Sequence, residues 1–205
     1  MTETPHTEAL FAEWDERYTA IVDRLPDYRP NATVVDEIGG RPPGRALDIG
    51  CGTGADAVWL ASQGWDVTAI DVSQVALDRA AEASTEVTWI RTRLEDLAMP
   101  AGGFDLVTAH YPALLHSPGR DAERALLAAV APGGLLLVVH HADIDVELAR
   151  SHGFDPAIYL LHDDVLGLLG ADWDVTVDRH RLRDVPAGLD GQHTHDDVIL
   201  ARRSP

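Results

Sequence analysis

The sequence predicts an α/β fold built on a parallel, doubly wound sheet. Three observations carry that prediction. Apolar, strand-like runs alternate with helical patterns from Arg45 onward, a glycine-rich turn follows the first run, and an acid closes the second. At 205 residues the chain is long enough for one domain with a sizeable core. Its 45% hydrophobic and 24% charged content is that of a globular chain rather than a disordered one.

Taken in order, the first 44 residues read as a helical cap or lid and 45–205 as a single structural unit. Phe11 to Leu25 has Trp14, Tyr18, Ile21, Val22 and Leu25 at helical spacing. Prolines at 26, 30, 42 and 43 then make loops. Ala46–Ile49 reads as a buried strand and Gly54–Gln63 as a helix that Gly64 ends as a C′ residue. Trp65–Ile70 is the second strand, and Ser73 caps a helix running to about Ala83. Val87–Arg91 and Phe104–Ala109 are the third and fourth strands. From Asp121 to Val130 a helix presents Ala122, Ala125, Leu126, Ala129 and Val130 on one face, with Asp121 favouring its N-terminus. The turn Pro132-Gly133-Gly134 ends that helix and launches Leu135–His140, a run apolar enough to be buried on both faces. A helix at Asp163–Leu169, its acidic start solvated, precedes strands at Trp173–Leu182 and Asp197–Ala201. The tryptophans at 59, 65, 89 and 173 fall at core positions.

The chemistry concentrates in Leu47-Asp48-Ile49-Gly50-Cys51-Gly52-Thr53-Gly54, between a strand and a helix. Glycines at alternate positions let the backbone turn tightly and approach a ligand where a Cβ would collide. The helix that follows offers unpaired N–H groups. Asp71 ends the second strand 21 residues after Gly50, where a carboxylate accepts hydrogen bonds from both ribose hydroxyls. Together these describe a nucleoside site. Gly50, Gly52 and Ala55 also satisfy the dinucleotide pattern G-x-G-x-x-G/A. Asp48 argues against it: a carboxylate two residues before the first glycine repels a pyrophosphate and attracts the ammonium of an amino-acid ligand. S-adenosylmethionine carries that ammonium and no phosphate.

LDIGCGTG, AIDVS, FDLVTAHY at 104–111 and APGG at 131–134 resemble, in order and spacing, the motifs of class I S-adenosylmethionine-dependent methyltransferases. The resemblance runs from about Trp14 to Ala201 and looks closest to the small bacterial group that resembles thiopurine and tellurite methyltransferases. It implies a Rossmann-like seven-stranded sheet in the order 3-2-1-4-5-7-6 with the last strand antiparallel. It further implies that Asp48, Gly50, Cys51, Gly52, Thr53 and Gly54 hold the methionine part, Asp71 the ribose and Val72 the adenine, with Ala109 also at the cofactor. The segment around Trp14 and Tyr18, with the Pro30-Asn31 pair, would fold over the cofactor. One departure stands out. Arg93 occupies the place of an acid that contacts the adenine amino group, leaving the Leu94 N–H and the Glu95 carboxylate as substitutes.

For the methyl acceptor, His110 and Tyr111 follow the fourth strand, with His110 as candidate general base, because the ordinary imidazole pKa near 6.5 suits proton removal at neutral pH. His140 and His141 end the fifth strand, and alternation predicts that at most one of them faces a pocket. Trp14 could line the acceptor pocket. His193 and His195 read as a loop, and with His140, His141 and Asp143 they form the only metal set that ten histidines suggest; the expectation is no metal. Cys51 stands at a position of small packing residues, and as the single cysteine it excludes an internal disulfide framework.

The 16 basic residues, all arginine, against 34 acidic ones give a formal charge of −18, a field that repels nucleic acid and anionic lipid. A neutral or cationic small molecule fits better as acceptor. The missing lysine suggests a GC-rich bacterial genome. The polar start Met1–Glu8 and the absence of any span of roughly 20 apolar residues suggest a cytoplasmic enzyme. A module of the same fold that holds the cofactor without turnover remains the alternative, Arg93 being the feature that favours it. An oxidoreductase and an RNA or protein methyltransferase stand behind it.

Overall fold

In the computed structural model, which describes residues 5–24, 29–151, 155–183 and 193–205, the alternation of strands and helices is present as read. Packing divides the chain into two units, Met1–Ala98 and Met99–Pro205.

The first unit contains α1 (Pro5–Ile21) with a 3₁₀ turn at Val22–Arg24, α2 (Ala32–Ile38), β1 (Arg45–Ile49), α3 (Ala55–Ser62), β2 (Asp66–Asp71), α4 (Gln74–Ala81) and β3 (Thr88–Arg91). Its strands are parallel, with Leu47 opposite Thr68 and Ile70 opposite Ile90. β1 is short and buried from Ala46 to Ile49, Asp48 included, as a strand inside a parallel sheet is; Ala46 and Leu47 are fully buried. Ala57 and Leu60 of α3 and Ala76 and Ala80 of α4 complete the core. Gly64, at φ 90°, ends α3 in the left-handed conformation expected of a C′ glycine.

Two expectations are corrected here. α1 starts earlier than Phe11 and buries Thr7 and Phe11, with Trp14 and Tyr18 half-buried along the same i, i+4, i+7, i+11 line. Ile21 is 44% exposed, because the switch to a 3₁₀ turn at Val22 breaks the helical period on which the apolar face was read. Leu25 and Pro26 lie outside the described residues. Of the four tryptophans assigned to the core only Trp65 is buried, and it precedes β2 rather than belonging to it; Trp59, Trp89 and Trp173 are half-buried.

The second unit contains β4 (Phe104–His110), α5 (Asp121–Ala129), β5 (Val130–His141), α6 (Val146–Ser151), a 3₁₀ turn at Pro156–Ile158, α7 (His162–Leu166), β6 (Trp173–Leu182) and β7 (His195–Arg203). β4 and β5 are parallel, whereas β7 runs antiparallel to both β5 and β6. Leu136, Leu137, Val138 and Val139 are completely buried, as a central strand requires. The Pro132-Gly133-Gly134 segment does not separate α5 from the strand. β5 begins at Val130, and the segment is an irregularity within it, where pairing jumps from Phe104 with Val130 to Leu106 with Leu135. Proline supplies no ladder N–H and Gly133, at φ 77°, takes up the bend. β7 begins at His195, so that residue is a strand residue and not part of the preceding loop.

The seven strands take the order β3-β2-β1-β4-β5-β7-β6. Among the described residues no helix is long and apolar enough to cross a membrane.

Candidate functional site

In the first unit the glycine loop is held by backbone and carboxylate together. The Cys51 N–H donates to the Ile70 carbonyl at 3.0 Å, tying the loop to β2. Asp71, at the end of β2 and 6% exposed, accepts from the Gly52 N–H at 2.9 Å through one oxygen and from the Ser73 N–H at 2.8 Å through the other. Burial pushes the Asp71 carboxyl above its ordinary value, and the Ser73 and Gly52 N–H groups pull it back. The Val72 N–H acts on the same carboxylate, yet not all of its roughly four lone-pair sites are taken. The acceptor capacity that is left suits a ribose hydroxyl, and Asp71 fits the cofactor on this point.

Tyr18 reaches the same loop from α1. A Cβ built on Gly52 would stand 2.6 Å from its hydroxyl, so the absence of a side chain makes room for it. Burial, with Asp71 and Cys51 nearby, holds the Tyr18 proton on. Burial and the carboxylates of Asp48 and Asp71 do the same for the Cys51 thiol, which is therefore inert. Asp48 is 2% exposed in β1. Gly50 and Gly54 take φ values of 66° and 85°, and Thr53 lies half-buried between Gly52 and Gly54.

The N-terminal segment is anchored at two points. Asn31 donates from its backbone N–H and its side-chain amide to the two oxygens of Asp56, at 2.7 and 2.8 Å. Asp15 of α1 accepts from the Ser73 hydroxyl at 2.8 Å and pairs with Arg91 at 2.6 Å. Arg91 also donates to the Val72 carbonyl at 3.0 Å. Trp14 packs beside Tyr18, ring centroids 6.3 Å apart, and its buried indole N–H has no partner among the described residues. A buried donor without a partner beside a glycine loop is a place for a ligand acceptor. Leu94 is buried at the start of a 3₁₀ turn, while Glu95 and Asp96 are both drawn to Arg93, at 3.4 and 2.7 Å. The Arg93 that replaces the expected acid is thus neutralised by the two acids that follow it.

In the second unit Ala109 is fully buried in β4 and His110, 8% exposed, is its last residue. Tyr111 follows at φ 51°. A left-handed tyrosine is strained, a conformation that the surroundings must impose. Its hydroxyl donates to Asp196 at 2.7 Å, and burial together with that bond raises the phenol far above its usual value. A cavity of about 260 Å³ opens here, lined by both His140 and His141 with Tyr111 and His193, but not by His110. Alternation in the strand had predicted only one of the pair. His141 is the terminal residue of β5, and the cavity wraps round the strand end so that both faces contribute.

His140 donates from Nε2 to the Leu160 carbonyl at 3.1 Å, and burial drives its pKa down to about 4. It is a neutral histidine. His141 sits differently: its Nδ1 is 3.2 Å from Asp196, and its ring is stacked between Tyr111, centroids 4.0 Å apart, and His193, 4.3 Å apart. Arg183 lies 3.4 Å from the same carboxylate and over the Tyr111 ring. Asp196 and Arg183 were not singled out in the sequence. The available signal was that Asp196 is in phase with buried Val198 along β7, which marks an acid turned inward. His193 and His195 part company, the second lying beside His180 with centroids 6.4 Å apart. Among the described residues no group of three or more His, Cys, Asp or Glu side chains is placed to hold a metal ion.

Comparison with known proteins follows the geometry. Residues 46–134 match the model of a family described as a methyltransferase domain. The chain is 29% identical over 143 residues to an uncharacterised methyltransferase of Synechocystis sp., covering 63% of this chain and 66% of that protein. It is 31% identical over 119 residues to glycine N-methyltransferase of Oryctolagus cuniculus, covering 47% and 40%. It is 37% identical over 97 residues to an uncharacterised methyltransferase of Mycobacterium bovis, covering 45% and 48%. The chain therefore spans less than two thirds of the length of these relatives. Among solved structures it resembles one concerned with conversion of a disulfide bond into a thioacetal group during echinomycin biosynthesis, with TM-score 0.72, 22% identity and 95% and 92% of the two chains covered. It also resembles the N-methyltransferase NodS of Bradyrhizobium japonicum in complex with S-adenosyl-L-homocysteine, with TM-score 0.61, 21% identity and 93% and 86% covered. At such identities these structures show the shared fold.

Proposed function

We propose that the chain, whose residues 46–134 match the model of a methyltransferase domain, is a class I S-adenosylmethionine-dependent enzyme that transfers a methyl group to a small-molecule acceptor by in-line displacement. The observation that carries this reading is Asp71, buried at the end of β2 and held by the backbone N–H groups of Gly52 and Ser73, with acceptor capacity left for a ribose hydroxyl. When bound, S-adenosylmethionine supplies an electrophilic methyl on a sulfonium. The chain's own work is to hold, align and exclude water.

In this reading Asp48 attracts the amino group of the cofactor and the loop from Gly50 to Gly54 lies against its methionine part. Val72, Leu94 and Glu95 border the adenine. Residues 1–44 act as a lid, with Asn31, Tyr18 and Trp14 as its contacts. The anchoring of that lid through Asp15 and Asn31 supports a segment built to stay over the loop. The cavity bounded by His140 and His141 takes the acceptor, with Tyr111 shaping its wall. The charge of −18 favours a neutral or cationic acceptor in the cytoplasm over nucleic acid.

The test is release of S-adenosylhomocysteine with a panel of phenols, thiols and amines, on the wild type and on Asp71→Ala. Acceptor-dependent turnover that falls at least about 100-fold in the variant, through loss of cofactor affinity, supports the reading. Cofactor binding with no turnover across the panel would favour a binding module instead.

A further inference from the structure

The cavity of the second unit has a wall that protein does not cover. Asp145, Leu148 and Ala149 line it at i, i+3 and i+4 spacing, so one face of α6 and of the residue before it forms that wall. Yet α6 buries none of its six residues, and Val146 and Leu148 are each 40% exposed. The helix is tied at its two ends by polar contacts. The Asp145 carboxylate accepts from the Leu148 N–H at 3.0 Å, and Arg150 pairs with Asp155 at 3.0 Å. α6 packs against the 3₁₀ turn at Pro156–Ile158, where Ile158 is 48% exposed. Among the described residues seven large hydrophobic side chains are exposed, and Val146, Leu148 and Ile158 are three of them. Apolar exposure is thus concentrated beside the cavity. Leu148 both lines the cavity and reaches solvent, so the apolar wall is continuous from inside to outside.

The interior is apolar and in part aromatic, with Pro112, Tyr159 and Leu161 among its lining. Its polar members are already engaged. Tyr111 and His141 are both turned to Asp196, and His140 donates to the Leu160 carbonyl, its burial keeping it uncharged. The carboxylates of Asp143 and Asp145 are exposed rather than interior, the first 3.0 Å from His180 and the second bonded to α6. A charge carried inside would shed its water with no opposite charge reserved for it.

We propose that this cavity binds an uncharged aromatic ring carrying an aliphatic substituent, the ring against Pro112, Tyr159 and Leu161 and the substituent along Val146 and Leu148 of α6. At about 260 Å³ the cavity is smaller than the roughly 300–1,000 Å³ of most ligand pockets, so the ring fills it and the rest of the ligand leaves over α6. The ring meets flat side chains on the inside. The substituent covers the apolar residues that α6 exposes, and each methylene laid on that face raises affinity about two- to fourfold. The same contact gives α6 the apolar burial it lacks, so an occupied cavity slows local opening of the helix. The proposal concerns the second unit alone and does not rest on methyl transfer.

The test titrates the full chain, without cofactor, with 4-alkylbenzyl alcohols from the parent to the butyl compound. The matching benzoates and benzylamines are run alongside. Calorimetry is expected to show affinity rising about two- to fourfold per methylene in the alcohol series. The alcohols should bind at least about tenfold more tightly than either charged series. Deuterium uptake over residues 146–151 should slow when the butyl alcohol is bound. Val146→Ser and Leu148→Ser replace exposed side chains and should keep the wild-type melting transition. Each should flatten the length dependence, to below about 1.5-fold per methylene when combined. Val146→Ser alone should leave affinity for the parent alcohol within about twofold. Val177→Ser, at a similarly exposed valine of β6, should behave as wild type. No binding, affinity independent of chain length, preference for a charged series, or an unchanged length dependence in the double variant would each overturn the proposal. Dimerisation of the wild type that Leu148→Ser abolishes would also overturn it, since a second copy would then be what covers α6. None of these outcomes bears on the cofactor site, which cofactor titration tests separately.

Discussion

Gly52 and Gly54 differ in what a side chain would cost. At Gly54, φ 85°, a Cβ would stand 2.5 Å from the Trp89 ring and 2.9 Å from Ala80, inside the packed core. At Gly52, φ 54°, it would meet only the far end of Tyr18. Gly54→Ala is therefore predicted to lower stability in urea by roughly 3 kcal/mol or more, strain and overpacking together. Gly52→Ala should cost about 1–2 kcal/mol in backbone conformation yet reduce cofactor affinity at least about tenfold, because its N–H sets the Asp71 carboxylate. Equal stability losses would contradict this division. The core glycine was legible as part of the motif; its contact with Trp89 was not, because β3 and the loop meet only in the fold.

Ser73 shows how one side chain can serve an element and the site. Its hydroxyl accepts from the Ala76 N–H at 3.2 Å, capping α4, and donates to Asp15 of α1 at 2.8 Å. Ser73→Ala should cost about 1 kcal/mol of stability through the cap and should speed amide exchange along α1, read by deuterium uptake. Unchanged exchange in α1 would mean that Asp15 is not its anchor. The elements read best were those with their own signal: the Ser73 cap, Gly64, and the apolar run Leu135–His140. α6 was missed because it is six residues long and buries none, so no apolar stripe marks it. The end of α1 was misplaced because Ile21 and Val22 keep helical spacing in sequence while the backbone has already tightened. The cofactor loop was visible because glycine geometry is local. The Asp196 cluster was not, because it joins Tyr111 and His141, each noted at the end of its own strand, to Arg183 and Asp196, which lie far along the chain and meet them only in the fold.

For the molecule as a whole, His140 gives a pH dependence of defined sign. Burial lowers its pKa from 6.5 to about 4, so the folded chain refuses a proton that the unfolded chain accepts. Above pH 6.5 this has no effect; between 6.5 and about 4 it progressively favours unfolding, and below about 4 the loss is complete. At 1.36 kcal/mol per pH unit the window amounts to about 3 kcal/mol. Urea melts across this range should lose stability toward acid, and His140→Gln should lose less over the same interval; parallel curves would contradict the assignment. The central claim is that the glycine loop and Asp71 of the first unit make a site for S-adenosylmethionine. It is tested most directly by titration calorimetry of the wild type and of Asp71→Ala with S-adenosylmethionine, and with a reduced nicotinamide dinucleotide as the competing ligand. The account predicts micromolar binding of S-adenosylmethionine by the wild type, its loss in the folded variant, and no heat with the dinucleotide. Binding of the dinucleotide instead, or no binding of S-adenosylmethionine by the folded wild type, would contradict it.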